Sequence, residues 1–453
     1  MTLLSPLFRS ESVEHVFSDR ATLQGMLDFE AALARAEEKA GVIPVGTAKS
    51  IGASCHAKLF DFAAIGNATA SAGNLAIPLI KQLTAQVAKS DEAAAQFVHW
   101  GATSQDAIDT GRVLQLRGAL KLLSNDLENI AATLATLAEK HRATLMVGRT
   151  WMQHALPTTF GVRVTGWLDA IERQIQRLEE CSAHCLVLQF GGAVGTLAAL
   201  GERGTEVANT LGAELNLPVP SIPWHSHRDR MAEIAGVAGN CVGTLGKIAK
   251  DISLHSQTEI AELFEPAGKG RGGSSTMPQK RNPVTCAVVL SAAQRVPGLV
   301  STMLSAMVQE DERGLGGWHS EWETLPEIIG LTAGAAHHFA IMLPDLEIDT
   351  NRMRDNLDVT HGLIFAEAVT MALGEKIGRV HAHEVVEAAC IRARLEKQNL
   401  KNILLHDQTV GASLSPHDLD RLFDARQYLG ASNIFIDQVL EKSKARQQRQ
   451  IKK

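Results

Sequence analysis

Residues 118–148 read GALKLLSNDLENIAATLATLAEKHRATLMVG, and the 29 residues between the two outer glycines contain neither glycine nor proline. Apolar residues recur there every three or four positions: Leu120, Leu123, Leu127, Ile130, Leu134 and Leu137. This spacing is typical of one face of an α-helix, and a helix of that length extends about 43 Å. Because so long a helix needs partners along its whole extent, the stretch predicts a long helical bundle.

Two further stretches, 167–190 and 229–265, predict long helices as well. The second carries four glycines on one helical stripe: Gly236, Gly239, Gly243 and Gly246. Each glycine costs a helix about 1 kcal/mol relative to alanine. Glycines aligned in this way therefore predict a neighbouring helix that packs very close, within the chain or across a subunit interface. A locally weak helix is the alternative.

The composition agrees with helices, because aromatic residues make up only 4% of the chain and tyrosine occurs once, whereas strands favour aromatic and β-branched residues. We predict an all-α fold of three domains. Residues 1–110 form a small N-terminal helical domain, 111–350 the long central bundle, and 351–453 a C-terminal domain of shorter helices that include 362–373 and 381–396.

Charge and hydropathy exclude several classes of protein. Charged residues make up 21% of the chain and interrupt every apolar run before the roughly 18 residues that a membrane span needs. A net charge of −6 is not the positive charge expected of a protein that binds nucleic acid. No basic segment leads into an apolar one at the N-terminus, so we expect no signal peptide, no membrane and a cytoplasmic protein.

The six cysteines are scattered, as expected for reduced thiols. Cys181, His184 and Cys185 share one helical face, but three ligands without a fourth are a weak metal signal. We interpret them as a buried helix surface and predict no metal and no other cofactor.

The most unusual segment is 268–283, GKGRGGSSTMPQKRNP, with four glycines in its first six residues. Its cations are Lys269, Arg271, Lys280 and Arg281. A mobile cationic loop suits an anionic substrate that must be enclosed before it reacts. A nucleotide-binding loop is disfavoured because no GxxxxGK[ST] pattern is present. The other alternative is a flexible linker with no role in binding.

Two other polar segments interrupt apolar surroundings: 99–106, HWGATSQD, and 148–157, GRTWMQHALP. For Thr103 and Ser104 the alternative is an ordinary helix N-cap, and for His154 it is a core histidine with its hydrogen bonds made.

Together the three segments resemble the fumarase/aspartase superfamily, whose members share a TSxD-like element, a TxxQxA-like element and a GSSxMPxKxNP loop. Here these read 103–106, 150–155 and 273–283. The resemblance implies a three-domain, all-α homotetramer with active sites built from three subunits.

Two departures from the family's C–N lyases narrow the activity. Trp151 stands where the lyases carry a histidine that serves the leaving nitrogen or oxygen. A carboxylate leaving group needs no such acid, since its pKa is near 4. Residues 312–322 also offer glycines and tryptophans where adenylosuccinate lyases carry Asp and Ser, although packing roles for Trp318 and Trp322 are equally open. These departures favour a cycloisomerase that closes a tricarboxylate diene into a lactone in aromatic catabolism.

The resemblance implies roles for individual residues. Ser274 moves the proton on carbon, and Lys280 and Asn282 stabilise the anionic intermediate. The substrate-binding candidates are Thr103, Ser104, Gln153, Arg313, Trp151, His154 and Asn74. An adenylosuccinate lyase-like C–N lyase is the main alternative, and a non-catalytic structural relative is the other.

Overall fold

The computed structural model describes residues 3–266, 268, 272–273 and 276–451. The chain forms two compact units. The first unit consists of Met1–Leu127, Gln174–Gly246 and Val288–Ala340, and the second of Glu128–Arg173, Lys247–Ala287 and Ile341–Lys453. Each of the five longest helices contributes residues to both units.

Short and medium helices open the first unit: α1 Ser5–Phe8, α2 Glu11–Val16, α3 Asp19–Lys39, α4 Thr47–Ser54, α5 Phe62–Ala72, α6 Ala76–Ala88 and α7 Glu92–Ala95. Side-chain caps begin several of them. The Ser10, Ser18 and Asp61 oxygens each accept a hydrogen bond from the backbone N–H three residues later, which satisfies an otherwise unpaired donor of the first turn.

Long helices and short strands follow: α8 Ser104–Lys140, β1 Leu145–Thr150, β2 Gln153–Thr159, α9 Phe160–Cys185, α10 Gly204–Leu215, α11 Asp229–His255, β3 Leu263–Phe264, α12 Val284–Ser305, α13 Gly317–Met342 and β4 Glu347–Ile348. The predicted all-α class is confirmed. All six apolar residues that predicted the helix over 118–148 are buried in α8.

The predicted end of that helix is wrong, because α8 stops at Lys140 and residues 145–159 form an antiparallel hairpin. The Phe160 N–H donates to the Thr144 carbonyl at 2.8 Å and the Gly161 N–H to the His141 carbonyl at 3.0 Å. A Cβ on Gly161 would lie 2.7 Å from the Arg142 Cα. The chain therefore turns back against the end of α8 and begins α9 at Phe160, seven residues before the predicted start.

Helix α11 also ends early, at His255 and not near residue 265. The Glu262 N–H donates to the His255 carbonyl at 2.9 Å, and the Glu262 carboxylate accepts from the His255 ring at 2.5 Å. These contacts fold residues 256–262 back onto the helix end. The glycine-rich loop thus begins well after the helix has stopped.

The glycine stripe of α11 divides into two pairs. A Cβ on Gly246 would lie 2.7 Å from the Ala293 Cβ, and one on Gly239 3.0 Å from a Val300 methyl. The predicted close approach of another helix is confirmed at these two positions, where that helix is α12. Gly236 and Gly243 meet no atom within 4 Å.

Helix α12 is also, among the described residues, the one helix long and apolar enough by length and composition to cross a membrane, with a mean hydropathy of 1.3. Core helices of soluble proteins have the same property. Only 28% of its apolar window is buried in this chain.

The C-terminal helices are α14 Thr350–Asp358, α15 Ala366–Ile377, α16 Arg379–Glu396, α17 Leu400–Leu405, α18 Gln408–Ser413, α19 Pro416–Leu422 and α20 Ser432–Ile451. The helices predicted over 362–373 and 381–396 correspond to α15 and α16. Apolar side chains of α15 to α19, including Leu373, Val386 and Leu404, form one buried cluster.

Candidate active site

In the first unit the polar segment 99–106 is organised by Asp106, whose side chain is fully buried. Its carboxylate accepts hydrogen bonds from five N–H groups at 2.9–3.0 Å: those of Thr103 N, Gln189 Nε2, Gly191 N, Gly192 N and His225 Nε2. A buried carboxylate that accepts so many hydrogen bonds fixes the groups around it. Asp106 therefore sets the backbone that presents Thr103 and Ser104.

Thr103 occupies the N-cap position of α8, since the helix begins at Ser104. Its N–H donates to Asp106, while its hydroxyl accepts from Arg313 Nη2 at 3.0 Å. Arg313 also donates to the Ala193 carbonyl at 3.0 Å. Two predicted site residues far apart in sequence, Thr103 and Arg313, are thus in direct contact.

A buried ion-pair network lies beside this segment. The Arg228 guanidinium donates to Asp109 at 2.6 Å and to Glu321 at 2.5 Å, and the Trp318 indole N–H donates to Asp109 at 3.0 Å. Burial raises the pKa of Glu321 even with Arg228 beside it. The network fixes α13 to α8, and it confirms the packing alternative for Trp318.

Asn74 lies in the connection between α5 and α6. Its side-chain oxygen accepts from the Ile77 N–H at 3.2 Å and so caps the first turn of α6. This contact orients the amide. The predicted role of Asn74 in substrate binding would therefore use its NH₂ group as the hydrogen-bond donor.

In the second unit the segment 148–157 forms the hairpin of β1 and β2, with Thr150 paired to Gln153. Trp151 and Met152 form the turn, both with positive φ, at 50° and 64°. A two-residue turn of this kind matches the twist of the strands. The Trp151 side chain is 95% exposed and that of Met152 76%, so the hairpin tip projects its apolar residues into solvent.

Beneath the hairpin lies a second buried carboxylate, Glu262. It accepts from Arg149 at 2.8 and 3.1 Å, from Asn356 at 2.7 Å and from His255 at 2.5 Å. These donors outweigh its burial and lower the pKa of Glu262 to about 2. Sequence reasoning missed this network, because its members are spread from residue 149 to residue 356.

His154 pairs with Arg149 across the hairpin. Burial, and then the Arg149 charge, lower the pKa of His154. Its Nδ1 atom is buried and has no hydrogen-bond partner within the described part of the chain. The interpretation of His154 as a core histidine with its hydrogen bonds made is therefore wrong for that atom.

The glycine-rich loop is described only in part. Ser274, the predicted proton-transfer residue, lies outside the described residues, as do Lys269 and Arg271. The Asn282 N–H donates to the Gly272 carbonyl at 2.8 Å, which closes the neck of the loop. Lys280 is exposed.

Arg281 serves a structural contact. Its guanidinium pairs with Glu347 at 2.7 Å, donates to the Glu265 carbonyl at 2.8 Å and lies 5.0 Å from the Phe264 ring centre. The sequence counted Arg281 among the cations for an anionic substrate. The structure instead commits it to joining the loop to β3 and β4.

The thiols of Cys181 and Cys185 are buried, as predicted, with their sulfur atoms 3.8 Å apart. His184 is exposed. The third group close to the two thiols is the Glu233 carboxylate, which sequence spacing alone could not identify.

The fold and these segments agree with comparisons to known proteins. The family described as Lyase matches residues 9–298, and the family described as Adenylosuccinate lyase C-terminus matches 362–439. The chain therefore belongs to the lyase family, and the resemblance to the fumarase/aspartase superfamily is confirmed.

Its relatives include two curated enzymes named 3-carboxy-cis,cis-muconate cycloisomerase. The Pseudomonas aeruginosa protein is 53% identical over 97% of this chain and 95% of its own length. The Bradyrhizobium diazoefficiens protein is 52% identical over 97% of both chains. The crystal structure of 3-carboxy-cis,cis-muconate lactonizing enzyme from Pseudomonas putida matches with a TM-score of 0.93 and 48% identity, over 98% of this chain and 99% of that one.

Proposed function

We propose that this chain converts 3-carboxy-cis,cis-muconate into 4-carboxymuconolactone, in the protocatechuate branch of the β-ketoadipate pathway. The observation that carries the proposal is the extent of the likeness to enzymes of that name, which reaches 53% identity over 97% of the chain. Trp151 supports it, because the residue replaces the histidine expected in a C–N lyase.

The reaction is an isomerisation of the acid, because the proton that the attacking carboxyl group loses on ionisation is balanced by the proton that carbon gains. A substrate carboxylate oxygen forms a C–O bond to the conjugated diene, and the displaced electron pair moves onto the neighbouring carboxylate as an aci-anion. A proton then adds to carbon. No oxidant, reductant or cofactor is required by this balance.

Lys280 and Asn282 stabilise the aci-anion in this proposal. Lys280 is exposed and Asn282 half-buried at the neck of the loop, where a cation and an amide N–H suit a developing negative charge. Removing one preorganised donor of this kind typically costs about 10²- to 10³-fold in rate.

Ser274 delivers the proton to carbon, and takes it in the reverse elimination. A serine is intrinsically a weak base, so it needs cations and oriented amides that favour its alkoxide. The neck contact between Asn282 and Gly272 supports this role, because it holds the proposed anion-stabilising Asn282 beside the start of the GSSxMPxKxNP motif.

The substrate carboxylates are held by Thr103, Ser104, Gln153, Arg313 and Asn74, with an additional contact from His154. Arg313 and the Thr103 hydroxyl are 3.0 Å apart, so one anionic oxygen can contact both. In this proposal the Arg313 guanidinium binds the third carboxylate of the substrate.

Trp151 contributes an apolar wall in place of an acid. In a lactonising reaction the group that leaves in the reverse direction is a carboxylate, which is stable as an anion without protonation. A tryptophan at this position is therefore compatible with lactone chemistry and unfavourable for release of an amine.

We further propose a cytoplasmic homotetramer whose active sites combine residues of three subunits. The exposed hairpin tip, the open glycines Gly236 and Gly243, and the low burial of α12 support it. Each is apolar or close-packing surface left uncovered in one chain. Each subunit in this proposal has three domains, 1–110, 111–350 and 351–453.

The test is loss of the diene's ultraviolet absorbance when purified protein meets 3-carboxy-cis,cis-muconate, with adenylosuccinate run in parallel. We expect turnover of the first alone and its loss in Ser274→Ala. Turnover of adenylosuccinate would overturn the carboxylate-leaving-group argument, and full activity in Ser274→Ala would overturn the proton-transfer role.

A further inference from the structure

The connection between α5 and α6 presents an amide donor in a fixed orientation. Gly73 ends α5 with φ 77°, a left-handed conformation that favours glycine. The Asn74 side-chain oxygen is committed to the Ile77 N–H, which leaves the NH₂ group for other contacts. An amide NH₂ only donates hydrogen bonds, so it suits a carboxylate oxygen.

This connection lies against the first turns of α8. Leu75 lines a small cavity of 80 Å³ together with Ile108, Arg112 and Trp322. Ile108 and Arg112 follow Ser104 by four and eight residues, and residues so spaced lie on one face of a helix. Leu75, the residue after Asn74, therefore lies next to the helix face that begins at Ser104.

His319 contacts the backbone of the same connection. Its Nε2 lies 3.2 Å from the Gly73 carbonyl oxygen. A carbonyl only accepts, so Nε2 carries the proton in this contact. The His319 ring centre lies 4.5 Å from that of Trp322 and 5.6 Å from that of Trp318, which restricts the ring's movement.

The helix that carries His319 is itself fixed. Trp318 and Glu321 bind the Asp109–Arg228 network in the buried interior of the first unit. Six residues before His319, Arg313 contacts the Thr103 hydroxyl. One short segment, 313–319, thus reaches both polar stretches that carry the proposed carboxylate ligands.

We infer that His319 is a positioning residue that holds the Gly73–Asn74 backbone in place, so that the Asn74 NH₂ group faces a substrate carboxylate beside Thr103. The identity of that substrate rests on the proposed function, whereas the contact between His319 and Gly73 does not.

Two replacements of His319 separate this role from general packing. A glutamine places its Nε2 close to the position of the imidazole Nε2, while the shorter asparagine falls short of the Gly73 carbonyl. We expect His319→Asn to raise KM by about three- to tenfold with kcat little changed, because a ground-state binding contact is weakened. We expect His319→Gln to stay within about twofold of the parent chain.

Asn74→Ala supplies the second side of a double-mutant cycle. Losing a hydrogen bond to a charged group should lower kcat/KM by about tenfold or more. If His319 acts through Asn74, the double variant with Asn74→Ala and His319→Asn is no worse than Asn74→Ala alone. Effects that multiply in the double variant, or a His319→Gln variant as impaired as His319→Asn, would overturn the inference.

Hydrogen exchange at the Ile77 amide provides a readout without substrate. His319→Asn should speed exchange there and His319→Gln should not, whereas unchanged exchange in His319→Asn would count against the inference. His406→Asn is the matched control, since that ring contacts the Asn402 carbonyl at 2.8 Å at an exposed position just after α17. If the parent chain fails to convert 3-carboxy-cis,cis-muconate, the proposed function falls, and the exchange experiment still decides the role of His319.

Discussion

Replacing Asp106 by asparagine tests whether one buried carboxylate organises the segment that carries Thr103 and Ser104. The two side chains have nearly the same shape, so the change adds no cavity. One carboxylate oxygen receives the N–H groups of Gln189, Gly191 and His225, and the other receives those of Thr103 and Gly192. Whichever oxygen becomes an NH₂ group, at least two donors then face a donor.

The magnitude follows from this count. A hydrogen bond to a charged group contributes about 1.5–3 kcal/mol, so losing two of them lowers the free energy of unfolding by about 3–6 kcal/mol. A typical folded domain is stable by only about 5–15 kcal/mol. We therefore expect Asp106→Asn to fold marginally, and to lose activity because the Thr103 backbone is no longer held.

The assay is the thermal midpoint measured beside kcat/KM for the lactonising reaction. Asp61→Asn is the matched control, because Asp61 caps α5 through one bond to the Ala64 N–H and asparagine caps helices equally well. We expect the control to match the parent chain. An Asp106→Asn variant with the parent's thermal midpoint and activity would refute the view that Asp106 organises this segment.

Three further predictions concern other parts of the chain. The Glu37 carboxyl is buried without a hydrogen-bond partner in the described structure, and burial raises its pKa to about 9; folding must protonate it, at a cost that grows by about 1.4 kcal/mol per pH unit above ~4.5. Glu37→Gln should therefore gain thermal stability over the parent by more at pH 8 than at pH 6, and a constant gap would contradict this. Gly246→Ala should lower the thermal midpoint, because its Cβ would lie 2.7 Å from another Cβ and overpacking costs about 1–3 kcal/mol. A Cβ on Gly236 meets no atom within 4 Å in the chain, so Gly236→Ala should instead disturb the proposed subunit interface and reduce the mass measured by light scattering. An unchanged mass would place the subunit interface elsewhere. Trp151→Ala should lower kcat/KM by about 30-fold, the effect of losing an aromatic contact of about 2 kcal/mol that the substrate makes in the proposed site. The thermal midpoint should not change, because Trp151 is exposed in the single chain; full activity would exclude Trp151 from the site.

The helices could be predicted from the sequence because their signal is local. The apolar spacing of α8 returns as buried Leu120, Leu127 and Leu134, and the glycine stripe of α11 returns as close contact with α12 at two positions. The hairpin escaped prediction for an equally local reason. Its turn, Trp151 and Met152, takes positive φ without the Asn or Gly that normally signals such a turn, and its apolar residues Leu145 to Val147 continue the helical pattern.

The end of α11 escaped prediction because its cause is tertiary. Nothing in the local sequence stops the helix at His255. The stop is fixed by Glu262, which is held in turn by Arg149 and Asn356, residues more than 90 positions away on either side. The motif likewise identified Thr103 but not the residues that hold it in place. The Thr103 N–H donates to Asp106, and Asp106 is itself held by N–H donors from residues 189 to 225.

Lys280 and Arg281 illustrate why composition alone overstates what a motif offers to a ligand. They are adjacent cations in one loop, and by composition both are candidates to attract an anionic substrate. The structure pairs Arg281 with Glu347 and stacks it on Phe264, because a planar guanidinium suits a carboxylate and an aromatic face. Lys280, a compact charge on a flexible chain, stays exposed. The charge of a cation that is paired within the fold is already neutralised by its partner. Fewer groups of this loop therefore attract an anion than the motif contains. The same logic separates Asp106 and Glu262 from the reacting residues, since both carboxylates are fully engaged by N–H donors of the protein and can act on a substrate only through the side chains they hold.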